Sequence, residues 1–330
     1  MPETAPSTRT RIDWLKLLET YGVVLVLVAL VAFFSVLNER FLSLRNLTNI
    51  VTEVSIYGII AVGMTFVILT RGVDLAVGSL VGLSGIMAAL AVQSLGIAGG
   101  LAGLVGLVVG IGVGLMVGLG QGLIVVGLGV PPFIVTLGGL TAWRGATLMA
   151  NDGAPVAATA PSYLWWGGGQ LYGLPVPVLV FAAVAGVGFF VLRRTRYGRH
   201  IYAVGGNPEA AHLAGLNVRA LIASVYVTVG ALSGLAGFLL SARLGSAEAV
   251  AGAGYELRVI ASVVIGGCSL FGGIGGVGGT VAGALLIGIL SNGLILMNVS
   301  SYLQQVVIGA IIVAAVAFDT LAKSRRFRAA

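Results

Sequence analysis

The segment RRTRYGRHIYAVGGNPEAAHLAGLNV, residues 193–218, is a basic and polar stretch inside a chain that is otherwise almost continuously apolar. The apolar runs on both sides of it are long enough to cross a bilayer, which takes about 20 residues of helix. A segment that must stay in water between such runs is a loop of a multi-pass membrane protein. The sequence therefore predicts an all-α polytopic membrane protein with one substantial polar loop.

Composition supports this class for the whole chain. The 330 residues are 58% hydrophobic and 9% charged, whereas a soluble domain has about 25% charged residues. The 52 glycines suit close packing of helices in a membrane, and continuous apolar runs differ from the alternating pattern of a β-barrel. We interpret the net charge of +7 as a topology signal in the loops, so no nucleic-acid partner is expected. The two histidines lie away from any carboxylate or cysteine cluster, so no metal site is expected.

Ten apolar segments are predicted to span the membrane, or eight if two closely spaced pairs are each one broken helix. They are 21–37, 50–70, 73–93, 99–126, 131–150, 174–192, 220–242, 257–270, 274–297 and 302–320. Lys and Arg concentrate in the first tail, in the 193–219 loop and in the last tail. The excess of positive charge in cytoplasmic loops then places both termini and this loop in the cytoplasm. The predicted domains are an N-terminal tail 1–20, one transmembrane domain 21–320 and a C-terminal tail 321–330.

The blocks 50–150 and 220–320 each hold four predicted spans and one Gly-rich junction, TRGVDLAVGS (70–79) and GGCSLFGGIGGVGG (266–279). The blocks start on opposite sides of the membrane, which indicates the inverted repeat that many transporters have. We consider the junction residues to be candidates for gating: Gly72, Asp74, Gly78, Gly266, Gly267, Gly272 and Gly273. Asp74 could equally cap a helix starting at Leu75 or pair with Arg71.

A short helix is predicted inside the polar loop, over about 208–214. Asn207 is a good N-cap, Pro208 suits the first helical position, and Glu209 complements the positive helix end. Gly215 is a natural C-terminal stop. A flexible hinge is expected just before the helix, at Gly205–Gly206.

Polar residues inside the predicted spans allow two readings. Gln121, Thr141 and Asn292 could hydrogen-bond a solute or link helices. Arg144 is expected to snorkel or pair, and Glu53 to pair with Arg45 or line an entrance. Four aromatic residues of the 151–173 loop are expected to form a belt at the membrane interface: Tyr163, Trp165, Trp166 and Tyr172.

Four stretches resemble the permease subunits of ribose-type ABC sugar importers. They are GMTFVILTRGVDLAVGS (63–79), VPPFIVTLGGLTAWRGATLMANDGAPV (130–156), YGRHIYAVGGNPEAAHLAGL (197–216) and GYELRVIASVVIGGCSLFGGIGGVGGTVAGALLIGIL (254–290). The chain departs from the family pattern at Arg71, where Gly is usual, at Ala76, where Ser is usual, and at Arg258, where an acidic residue is common.

The resemblance implies a homodimeric permease in the bacterial inner membrane, with a fold similar to that of cobalamin-importer permeases. It also implies a cytoplasmic ABC ATPase of two fused domains, which binds ATP and Mg²⁺, and an external sugar-binding protein. The ATPase would contact the polar loop at Gly205, Gly206, Asn207, Pro208, Glu209, Ala210, Ala211 and Gly215. The chain itself has no G-x-x-x-x-G-K-[ST] motif, so no cofactor is expected in it.

Other functions remain open at this point. The solute could be a monosaccharide, such as ribose, xylose, arabinose or galactose, or another small polar molecule such as a nucleoside or a branched-chain amino acid. An ion-driven secondary transporter would need several buried ionisable groups, and only Asp74 and Glu53 qualify. A membrane anchor for a scaffold loop would leave the Gly-rich junctions unexplained.

Overall fold

The computed structural model describes residues 14–97 and 99–329. Its helices are α1 Trp14–Leu37, α2 Leu44–Leu69, α3 Val77–Ser94, α4 Ala102–Leu128, α5 Pro132–Met149, α6 Pro161–Gly168, α7 Val176–Arg194, α8 Arg196–Gly206, α9 Pro208–Leu213, α10 Val218–Leu244, α11 Tyr255–Ile265, α12 Val277–Leu296 and α13 Ser301–Ala329. Four two-residue strands complete it: β1 Val156–Ala157, β2 Gln170–Leu171, β3 Leu174–Pro175 and β4 Ser246–Ala247. Of the predicted N-terminal tail, residues 1–13 lie outside the described residues, and α1 already begins at Trp14. In the predicted C-terminal tail, α13 continues to Ala329 and residue 330 lies outside.

A helix lies at each of the ten predicted spans, which confirms an all-α polytopic membrane protein. Within the described residues, six helices are long and apolar enough to cross a bilayer: α2, α3, α4, α7, α10 and α12. The count of ten spans, the inverted repeat and the likeness to cobalamin-importer permeases stay predictions. Helix α11 has 11 residues, about 16 Å of helix, which covers only about half of a 30 Å hydrocarbon core.

Helix α2 forms the centre of the bundle. Its most apolar stretch of residues is 89% buried. The helix packs against α7, α10, α11 and α12. From Val54 to Leu69 every residue of α2 is buried. A helix that is apolar all round belongs in a core rather than at a surface, and it gives the segments at its two ends a fixed position.

Helices α4 and α10 are in backbone contact along a seam of glycines. A Cβ added at Gly114 would overlap the carbonyl oxygen of Gly230, and one added at Gly234 would overlap that of Gly110. A Cβ at Gly118 would likewise overlap the carbonyl of Tyr226. Small residues at such spacing allow the close helix approach that drives association inside lipid.

The two ends of the bundle carry different structures. One end, here called the α8–α9 face, carries those two helices and the junction segments 70–76 and 266–276. The other end carries two antiparallel strand pairs, β1 with β4 and β2 with β3. The pairing of β1 with β4 ties the loop after α5 to the segment that follows α10.

The aromatic residues of the 151–173 loop do not form one interfacial belt. Tyr163 in α6 is fully buried and shares a 2.7 Å hydrogen bond with the hydroxyl of Ser241. Its ring also meets Phe238 edge-on, with centroids 4.9 Å apart. Tyr172, by contrast, is 97% exposed. The belt prediction was therefore wrong for Tyr163, because α6 folds back onto α10 and the tyrosine hydroxyl finds a partner there.

Candidate coupling face and glycine junctions

The short polar helix forms as predicted. The side-chain oxygen of Asn207 accepts hydrogen bonds from the backbone N–H groups of Glu209 and Ala210, each at 3.0 Å. Pro208 occupies the first position of α9. The helix ends at Leu213, and Gly215 follows with a φ of +85°. Gly supplies this left-handed conformation without the strain that a Cβ would add, so the start and stop signals act as the sequence predicted.

Helix α8 directly precedes α9 and was not predicted. Thr195 caps its start by accepting from the N–H of Gly198 at 3.1 Å. Its inner side buries Ile201 and Val204, while Arg196 and Arg199 are exposed. The prediction of a flexible hinge at Gly205–Gly206 was wrong, since both glycines form the last turn of α8.

Two tyrosines hold α8 against the bundle. The hydroxyl of Tyr197 shares a 2.7 Å hydrogen bond with that of Ser224 in α10. The hydroxyl of Tyr202 donates to the carbonyl of Gly275 at 2.8 Å. Burial raises the pKa of both phenols above the usual value, so they stay neutral hydrogen-bonding groups at physiological pH. Helix α8 is thus fixed to α10 and to the second junction.

In the first junction, Asp74 prepares the start of α3. It is fully buried, and one carboxylate oxygen accepts from the N–H of Ala76 at 2.8 Å. Helix α3 begins at Val77, two residues later than the Leu75 start that the sequence suggested. The hydroxyl of Thr136 in α5 donates to the carbonyl of Val73 at 3.3 Å, so this segment is also held from the side.

The second junction depends on glycines in left-handed conformations. Gly267, Gly272 and Gly273 have φ values of +88°, +81° and +72°. Gly266 packs so closely on α12 that a Cβ there would overlap the backbone of Gly279. Cys268 between these glycines is buried, 2% exposed. The glycines of this junction are required by conformation and close approach.

The two junctions meet each other beneath the end of α8. The N–H of Gly273 donates to the carbonyl of Leu69 at 3.0 Å. A Cβ added at Gly205 would overlap both of these residues. Arg71 does not pair with Asp74: its Nε donates to the carbonyl of Gly205 at 2.8 Å and its Nη2 to that of Gly206 at 2.5 Å. The structure therefore brings the predicted junctions and the polar loop into one contiguous region.

A second meeting point lies where α3 and α11 begin. Gly78 in the first turn of α3 contacts both the carbonyl of Gly252 and the carboxylate of Glu256. From α5, the Nη1 of Arg144 donates to the carbonyl of Ala251 at 3.0 Å and also to that of Ala249. The pairing of Arg144 is thus with backbone. Glu256 was not among the predicted site residues, although an acidic residue in the first turn of a helix, here two residues after Gly254, is a helix-start signal.

The three solute-path candidates do not form one site. Asn292 in α12 exchanges two side-chain hydrogen bonds with Asn46 in α2, at 2.9 and 3.0 Å, which is an interhelical link. Gln121 is 3% exposed and packs against Gly139 in α5. Thr141 is exposed on the outer side of α5. Of the two readings, interhelical bonding describes Asn292, while Thr141 is the most exposed of the three candidates.

Glu53 pairs with Arg258 rather than with Arg45. The guanidinium of Arg258 lies 3.3 Å from the carboxylate of Glu53, and both side chains are partly exposed. Tyr57 and Tyr255 lie beside this pair, with ring centroids 6.2 Å apart. The basic residue at 258 is therefore balanced by an acid on α2.

Sequence comparison identifies relatives over most of the chain. The family described as branched-chain amino acid transport system, permease component, matches residues 46–316. The ribose import permease protein of Bacillus subtilis (strain 168) is 41% identical over 319 residues, covering 96% of this chain and 98% of that protein. The ribose import permease protein of Escherichia coli (strain K12) is 43% identical, covering 89% of this chain and 92% of that protein.

A third relative, the D-allose transport system permease protein of Escherichia coli (strain K12), is 40% identical and covers 92% of each chain. No solved structure matches the chain. The family match covers most of the sequence, and the relatives align over nearly their whole length. The chain therefore belongs to the family of permease components of branched-chain amino acid transport systems, as a permease of the ribose type.

Proposed function

We propose that the chain forms the translocation path of an ATP-binding cassette importer for a monosaccharide. Ribose, allose and xylose are the sugars named for relatives that align over most of this chain. The resemblance of four motifs to ribose-type permeases points the same way. In this proposal two copies form a homodimer in the bacterial inner membrane, and an external sugar-binding protein delivers the solute.

The observation that carries the proposal is the exposed surface of α9. Leu213 is 87% exposed, and Glu209, Ala210 and Ala214 are exposed beside it. A leucine this exposed on a polar loop offers apolar surface that a docked partner can remove from water. We infer that a cytoplasmic ATPase contacts α9 and supplies the ATP and Mg²⁺ chemistry. Both termini are then cytoplasmic, in line with the excess of positive charge in the loops.

Transport follows from this arrangement by alternating access. Movement of α9 with the ATPase would be passed through α8 to the two junctions, because α8 contacts both of them directly. The junctions precede α3 and α12, so their movement would reorient helices on the path. The permease chain forms the path and transmits the movement, while the ATPase supplies the energy.

Reconstitution tests the proposal. Proteoliposomes that contain the permease, the ATPase and the sugar-binding protein encoded beside it should take up labelled ribose, allose or xylose only when ATP is inside. Leu213→Asp should lower ATPase binding and uptake together, and Tyr172→Ser, an exposed position at the opposite end, serves as control. Uptake by the permease alone under an ion gradient would support a secondary transporter instead. Uptake of leucine but of no sugar would show that the importer transports branched-chain amino acids instead.

A further inference from the structure

We propose that Arg71 is a positioning residue that couples the movement of α9 to the 70–76 segment ahead of α3. The inference rests on the proposed function, because it assigns how force from the ATPase reaches the path. Arg71 belongs to the first junction, yet its side chain ends on the last turn of α8. It is therefore a direct link between two segments that are 134 residues apart in sequence.

The link has the geometry of a helix C-cap supplied from another part of the chain. The last carbonyls of a helix have no partner within it, and Gly205 and Gly206 are the last two residues of α8. Two different nitrogens of one guanidinium bind these two carbonyls, at 2.8 and 2.5 Å. A positive charge at a helix C-terminus is also favoured by the helix dipole. Arg, with its planar fork of donors, suits such a contact better than Lys.

The backbone at Arg71 makes this contact notable. Its φ is +67°, a left-handed conformation that strains a residue with a Cβ. Gly would adopt the conformation without this strain. The stem of Arg71 also packs on Gly272 of the second junction. The strain at this position is thus offset by contacts that join the first junction, the second junction and α8.

The contact lies directly beside the start of α9. Asn207 follows Gly206 and caps α9 through its side chain. A displacement of α9 therefore pulls on the same turn whose carbonyls Arg71 holds. On the other side, Arg71 is three residues from Asp74, which sets the start of α3. Breaking the Arg71 bonds should leave α9 and its docking surface intact but remove one of its connections to α3.

Arg71→Gly is the decisive variant, because it removes the bonds and the backbone strain together. We expect normal folding and normal ATPase binding, with the number of sugar molecules imported per ATP hydrolysed reduced at least threefold. Arg71→Lys keeps the positive charge but loses the pair of guanidinium donors. Its ratio of sugar imported to ATP hydrolysed should lie between those of the wild type and Arg71→Gly. Arg219→Gln removes an exposed positive charge from the same face and should retain the wild-type ratio.

Hydrogen–deuterium exchange of the assembled complex gives a second measurement that does not depend on uptake. In the wild type, trapping the ATPase in its nucleotide-bound form should change exchange of the backbone amides of residues 72–76. In Arg71→Gly this change should be lost while that of residues 209–213 remains. A wild-type transport ratio in Arg71→Gly, an unaltered exchange response, or loss of ATPase binding would each overturn the assignment. Absence of ATP-driven sugar uptake in the wild type would instead overturn the proposed function.

Discussion

At the scale of single residues, the hydrogen bonds between Asn46 and Asn292 show which of two roles a polar side chain in an apolar span has. In the sequence, Asn292 is a polar residue in an apolar span, equally suited to a solute or to a neighbouring helix. The reciprocal hydrogen bonds with Asn46 use both polar atoms of each amide group. Its partner is 246 positions away, and no local pattern identifies it.

We expect Asn292→Ala to destabilise the fold without changing sugar affinity. The loss should be about 0.6–2 kcal/mol, from the typical worth of an interhelical hydrogen bond in a membrane protein to the cost of leaving Asn46 unpaired. Unfolding in detergent micelles measures this difference, and uptake kinetics measure KM. The double variant Asn46→Ala with Asn292→Ala should regain part of the loss. A raised KM with unchanged stability would place Asn292 on the solute path instead.

At the scale of elements, the two neighbouring helices α8 and α9 differ in how predictable they are. The signals for α9 are local: an Asn, a Pro and a Gly at the positions that helix ends favour. Helix α8 has a local signal too, since Tyr197, Ile201 and Val204 recur at i, i+4 and i+7. Its two arginines and its two terminal glycines instead predict a polar loop with a hinge. The end of α8 is stabilised by Arg71, a contact that depends on the assembled bundle.

Asn207→Ala should loosen α9 alone. Two accepted hydrogen bonds disappear, and the loss of an N-cap costs about 1 kcal/mol. Amide exchange at Glu209 and Ala210 should accelerate about fivefold, the factor that this free energy corresponds to. Asn207→Asp retains an acceptor oxygen and should exchange as the wild type does. Equal exchange rates in Asn207→Ala and the wild type would show that tertiary contacts rather than the cap hold α9.

At the scale of the whole molecule, helix positions follow from hydrophobicity, whereas their depth and packing do not. The spans from the sequence coincide with helices, because each apolar run must form its hydrogen bonds internally in lipid. The sequence predicts a span at 257–270, where the structure has the half-length helix α11. The backbone of 248–254, which Arg144 holds through its carbonyls, was not foreseen. Such polar backbone is stable there only because α5 and α3 cover it, and sequence spacing does not show which helices do so.

The glycine seam between α4 and α10 gives a prediction with a matched control on the same helix. Gly114→Leu should destabilise the fold by about 1–3 kcal/mol, the usual cost of overpacking, because a Cβ would overlap the backbone of Gly230. A Cβ added at Gly112 would have no atom within 4 Å, so Gly112→Leu should leave the stability of the fold unchanged. The melting temperatures of the two purified variants test this. If both variants melt alike, the helices are not in backbone contact.

The same seam determines which parts of the molecule can act as machinery. Helices in backbone contact cannot slide or roll along each other without first separating, so α4 and α10 behave as one rigid body. Helix α3 packs on both of them, so a force on the 70–76 segment ahead of α3 would move all three helices together. The proposed transport cycle is therefore a movement of this three-helix body against the rest of the bundle, rather than a movement of α3 alone.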